Sequence, residues 1–71
     1  MTDQEFINLI LLSIDSEQTA TTETELDELD NWDSLASMIV LGLLADHFDK
    51  HITAEHIRKC TTFQDVLNLR I

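Results

Sequence analysis

The chain has 71 residues, no proline, one glycine (Gly42), one cysteine (Cys60) and a net charge of −10, with 14 acids against four bases. A chain so short buries only about 60% of the surface its unfolded form exposes, which limits it to one domain (1–71) with an economical core, and a lone cysteine excludes a disulfide framework or a multi-cysteine metal knuckle. No Lys or Arg precedes Lys50, so most of the chain presents an anionic surface that repels nucleic acid and anionic lipid and steers it toward basic faces of other proteins.

Leu, Ile, Ala, Glu and Asp dominate the composition and point to an all-α fold rather than strands. Phe6, Ile7, Ile10, Leu11 and Ile14 recur at the spacing of one helical face, predicting a helix over 3–15 with Asp3 and Glu5 near the positive end of its dipole. The same stretch, "MTDQEFINLILLSID", carries acids where a secretory signal needs bases, and no apolar run approaches the roughly 18 residues of a membrane span. A cytoplasmic protein without membrane insertion is the expectation.

From Asp15 to Asp33 the periodicity fades into Ser, Thr and acids, a loop expected to pin itself to the core through Leu26, Leu29 and Trp32. Asp33 or Ser34 then caps a second helix, "SLASMIVLGLLADHF", that continues to about Asp49. Thr53 caps a short helix with Glu55 in its first turn and Arg58 and Lys59 in its last. Thr62 and Asp65 form an approximate capping box ahead of Val66, Leu67 and Leu69. The expected architecture is three longer helices plus one short one.

Ser34 lies at the turn into the second helix. The chain has no Gly-x-Ser-x-Gly elbow and no glycine-rich turn to build an oxyanion hole, so Ser34 is not read as a nucleophile in its own active site, and the protein is not read as an enzyme. It reads instead as a substrate, because a phosphodiester on a serine at a helix start would sit against free backbone N–H groups and the positive end of the dipole. His47 and His51 stand four apart with His56 beyond, which resembles metal-ligand spacing, but no further ligand set joins them and no metal is expected. They read as surface groups that gain charge as pH falls toward about 6. Cys60 reads as a structural cysteine, and "DELDNWDS" lacks the central glycine of a calcium loop. Gly42, inside a helix, suggests either close packing of a neighbouring helix or a gap between the second and third helices through which an acyl chain slips.

The Asp33–Ser34–Leu35 tripeptide opening a long helix after an acidic loop resembles the acyl or peptidyl carrier protein family. The spacing from it to Phe48, Ile52, Thr61–Thr62 and Asp65 follows the family pattern without a gap, covering residues 30 to 71 in detail and the first helix in outline. The resemblance implies an acyl-carrier-type bundle in which Ser34 receives 4'-phosphopantetheine from coenzyme A, through a phosphopantetheinyl transferase that uses magnesium. The arm's thiol then holds an acyl group as a thioester between acyl-loading and acyl-processing enzymes, with the carrier acting as a monomer. Asp33 would dock a basic surface of the transferase or of later partners, and Leu35 belongs to the same attachment motif.

Some positions depart from that pattern. The usual glycine two residues before Asp33 is Asn31, which tolerates a left-handed backbone, and Trp32 is expected to pack the loop on the core. Along the second helix Ala36, Ile39 and Ala45 stand where acids are usual, leaving Asp33, Asp46 and Asp49. Met38 to Leu44 is apolar throughout, too wide for one small core, so Ile39 with Val40 or Leu43 is expected to face outward and, with Asp46, to form a partner surface that works by apolar contact more than by salt bridges. The cargo pathway this suggests is a specialised lipid, polyketide or related route. An alternative from another class is an unmodified acidic adaptor that binds proteins through the same helix.

Overall fold

The computed structural model describes residues 1–70, and within them the chain is mostly helical, with four α-helices in chain order. The first, α1, spans Asp3–Ser13 and begins with a full capping box. Thr2 Oγ1 accepts the Glu5 N–H at 3.1 Å while the Glu5 carboxylate accepts the Thr2 N–H at 2.8 Å, and that second bond is the main cause holding the Glu5 carboxyl below its ordinary pKa. Phe6, Ile7, Ile10 and Leu11 are buried along one face, as their spacing predicts, and Ile14 continues it past the helix end. Termination comes at Asp15, which turns left-handed at φ 58° and lets the Ser16 N–H reach back to the Leu11 carbonyl and its own N–H to the Leu12 carbonyl. That is a Schellman motif with Asp where Gly is commoner.

The segment that follows is bound rather than loose. Leu26, which opens a 3-10 turn at Leu26–Glu28, and Leu29, which follows it, are buried, and Trp32 is half-buried with its ring edge-on to Phe63 at 6.5 Å. Gln18 holds both sides of the loop, donating to the Glu28 carbonyl and accepting the Asp30 N–H at 2.8 Å. The Asn31 amide donates to the carbonyls of Ile14 and Asp15, satisfying two acceptors that the end of α1 leaves without partners. Asn31 is not left-handed, contrary to the expectation drawn from its type; this side-chain bridge is its role. Thr22, Thr24 and Leu26 pair by backbone with the stretch from Thr61 to Gln64, including an antiparallel bridge between Glu25 and Thr62.

The longest helix, α2, spans Ser34–Phe48 and ends at Asp49, which is left-handed at φ 54°. The third, α3 (Ala54–Arg58), packs against α2 and buries Ile57. The fourth, α4 (Phe63–Asn68), buries Phe63, Val66 and Leu67 and is six residues long, so the chain has two longer helices and two short ones rather than three and one. Thr62 and Asp65 close its capping box as expected, and Asp65 Oδ2 also accepts the Thr61 N–H at 2.8 Å. Arg70 closes the bundle, bonded to Asp3 and to the Leu67 carbonyl and lying 5.5 Å over Phe48, whose ring meets Phe6 edge-on. Among the described residues no helix is long and apolar enough to cross a membrane.

Candidate functional site

The register of α2 decides what the site looks like. Ala36, Val40 and Leu44, four residues apart, point into the core with Ser37 beside them, which leaves Leu35, Met38, Gly42 and Asp46 on the opposite, outward stripe. Leu35 and Met38 are 64% and 62% exposed, whereas Val40 is 0% exposed. Val40 is therefore a core residue and not part of an outer surface, and Ile39 and Leu43 are half-buried flanks packed against the core. The expectation that α2 carries apolar side chains outward is correct for different residues, because the run is apolar around the whole helix and hydrophobicity alone does not choose its inner face. No spacing within the run chooses it either, because Leu35, Ile39 and Leu43 repeat at the same interval as Ala36, Val40 and Leu44.

Gly42 is corrected in the same way. A Cβ there would meet nothing within 4 Å, and its φ is negative. No neighbour packs close to it and it does not line the cleft between α2 and α3; it sits in the middle of the exposed stripe.

Asp33 caps α2. Its Oδ1 accepts the Ala36 N–H at 2.9 Å, and its carbonyl accepts from the N–H and hydroxyl of Ser37, the one buried polar side chain among the described residues. Ser34 is the first helical residue, exposed, and the N–H groups of Ser34 and Leu35 have no protein acceptor among the described residues. Beside it a cleft of about 370 Å³ runs between α2 and α3, lined by Ser34, Ser37, Met38, Ala54 and Arg58. On the other side of the first turn lies a more acidic hollow of about 300 Å³ that includes Asp15, Asp30, Asp33 and Leu35. Ser34 thus shares one cleft with Arg58 and adjoins a second hollow lined by Asp15, Asp30 and Asp33.

None of the histidines lines the Ser34 cleft. His56 is engaged at the start of α3, where its Nδ1 meets the Thr53 hydroxyl at 2.9 Å, and His51 meets Asp49 at 3.1 Å. Among the described residues no cluster of His, Cys, Asp and Glu could hold a metal ion. Cys60 is half-buried with its thiol on the His56 carbonyl, and burial, reinforced by Asp65, raises its pKa, which suits packing rather than reactivity. The arrangement presents a primary alcohol to an approaching molecule beside a cleft that no histidine lines.

Compared with protein-family models, with curated proteins and with solved structures, the chain shows no significant match to any of them.

Proposed function

We propose that this chain is an acyl carrier: Ser34 accepts 4'-phosphopantetheine, and the loaded protein passes an acyl group between partner enzymes in the cytoplasm as a monomer. The observation that carries the reading is the Asp33–Ser34–Leu35 tripeptide at the exposed start of the longest helix of a small, strongly acidic, four-helix chain. The residues fit the group. Ser34 Oγ is accessible, first-turn N–H groups without acceptors face an incoming phosphate, and the adjoining cleft gives an attached arm room to lie. In the modification Ser34 Oγ forms a bond to phosphorus as the pyrophosphate bond of coenzyme A breaks; the adenosine bisphosphate leaves and the hydroxyl proton passes to the transferase. The arm supplies the thiol that carries acyl groups as thioesters.

The chain's own part is presentation. Asp33 fixes the first turn so that Ser34 points outward, and its exposed carboxylate faces a basic transferase or later enzyme. Leu35 and Met38 supply an apolar contact beside the attachment point, with Asp46 further along the same stripe. That exposed apolar pair also supports a second reading, an unmodified acidic adaptor that docks through α2.

One experiment separates the two. The protein is incubated with coenzyme A, magnesium and a broad-specificity phosphopantetheinyl transferase, beside Ser34→Ala, and each is weighed intact by mass spectrometry. One phosphopantetheine on the parent and none on the variant is the expected result. No addition under conditions that modify a control carrier overturns the carrier and favours the adaptor.

A further inference from the structure

We propose that Arg58 is this chain's own counter-ion for the phosphodiester on Ser34, so that the α2–α3 cleft holds the phosphate end of the arm. The inference rests on the carrier reading and adds to it a residue that neither the Asp-Ser-Leu tripeptide nor the acidic loop points to.

Bases are scarce here, four Lys and Arg against 14 acids, and none precedes Lys50. Arg70 is committed to Asp3 and the Leu67 carbonyl. Lys50 and Lys59 do not line the cleft beside Ser34; Arg58 does. Among the described residues the Arg58 side chain makes no ion pair and no hydrogen bond, although acids outnumber bases more than threefold. The reason is local: the other residues lining its cleft are Ser34, Ser37, Met38 and Ala54, none of them acidic. In so anionic a protein, an exposed arginine that shares an acid-free cleft with Ser34 is a place for an anion that the polypeptide does not itself supply.

The plain alternative is that Arg58, the last residue of α3, serves the negative end of the helix dipole. Lys59, the next residue and the C-cap of α3, would serve the dipole as well, so that role does not account for a cation in the Ser34 cleft. The chemistry of the phosphodiester does. Its two non-bridging oxygens carry one negative charge and match the two parallel donors of a guanidinium. Attached at Ser34, that charge stands next to the Asp33 carboxylate, and a cation on the α3 side offsets the repulsion.

The test uses the full chain modified at Ser34 by the transferase, studied by phosphorus NMR and by the Nε–Hε resonance of Arg58. Modification is expected to shift the Arg58 Nε–Hε resonance. The phosphorus resonance is expected to move in Arg58→Gln, to lie between the two in Arg58→Lys, and to stay in place in the control Lys59→Gln. Backbone amide spectra that overlay outside α3 establish that the variants fold. A parent that resists modification overturns the carrier reading and this inference with it. A modified parent whose Arg58 resonance does not shift overturns this inference alone, and that measurement decides even where Arg58→Gln is itself poorly modified.

Discussion

Replacing Gly42 with alanine should stabilise the protein. Gly42 lies midway along α2 with negative φ, on the exposed stripe, where a new Cβ would touch nothing within 4 Å. Neither a clash nor a packing gain enters, and the effect reduces to helix propensity together with the lost freedom of the unfolded chain, about 0.8–1.0 kcal/mol in favour of alanine. In a domain of this size a change of about 1 kcal/mol moves the melting temperature by roughly 4–8 °C. Thermal and urea unfolding followed by far-UV circular dichroism measure both quantities, and an unchanged urea m-value would confine the effect to stability. Close packing of a neighbouring helix on Gly42 predicts the opposite sign, since it would put the new methyl against that neighbour. A variant that melts at or below the parent temperature would therefore refute the register assigned to α2, and with it the outward placing of Leu35 and Met38.

Other substitutions probe the cap, the final capping box and the outer stripe. Asp33→Ala should cost about 1 kcal/mol by removing the bond to the Ala36 N–H, while Asp33→Asn keeps a capping oxygen and most of that stability; if docking uses the charge, both variants lose transferase kcat/KM, and an Asp33→Asn protein modified at the parent rate would confine Asp33 to the cap. The Asp65 carboxylate is held below its ordinary pKa first by the Thr61 N–H and then by the Thr62 N–H, so its contribution is complete above the unfolded value near pH 4 and is lost as pH falls through the lower folded value. The urea midpoint of Asp65→Ala should accordingly lie below that of the parent by a constant amount between about pH 5 and 7 and converge on it below about pH 4; a gap that persists in acid would mean the carboxylate charge is not what stabilises the turn. Met38→Glu should leave stability within about 0.5 kcal/mol yet weaken partner binding about tenfold, whereas Ile39→Glu, at a half-buried flank, should lower stability as well. Equal melting temperatures for those two variants would contradict the register.

How much of this was legible in the sequence depends on how local each feature is. The face of α1 could be read from Phe6 to Ile14 because its apolar residues share one stripe, and the caps at Asp33, Thr53 and Thr62 because a cap is decided within a few residues. The anchors Leu26, Leu29 and Trp32 stood out as apolar residues in a polar run. The ties made by Gln18 and Asn31 did not, since their partners are backbone groups ten or more residues away that any residue type could offer. The inner face of α2 was hidden by an apolar run on both sides of the helix, which is why Val40 was expected outside and Leu35 and Met38 were not singled out as its exposed apolar residues. Within the candidate site, Ser34 and Asp33 were visible as a cap and its neighbour, whereas Arg58 is brought beside Ser34 only by the packing of α3 on α2.

That doubly apolar helix would be a liability on a neutral protein, because two copies could pair through Leu35 and Met38. The net charge of −10 changes the outcome. Fields from exposed carboxylates reach about 8 Å at physiological ionic strength, so the acids that count are those bordering the stripe, Asp33 at its start and Asp46 further along, with Asp30 in the adjoining hollow. Two copies approaching through this face bring like charges together, while a basic partner meets attraction first and the apolar pair second. Apolar contact supplies the affinity and charge decides who may approach. On that division of labour α2 can lack acids along most of its outer face, provided that the loop ahead of it and the cap at Asp33 keep theirs.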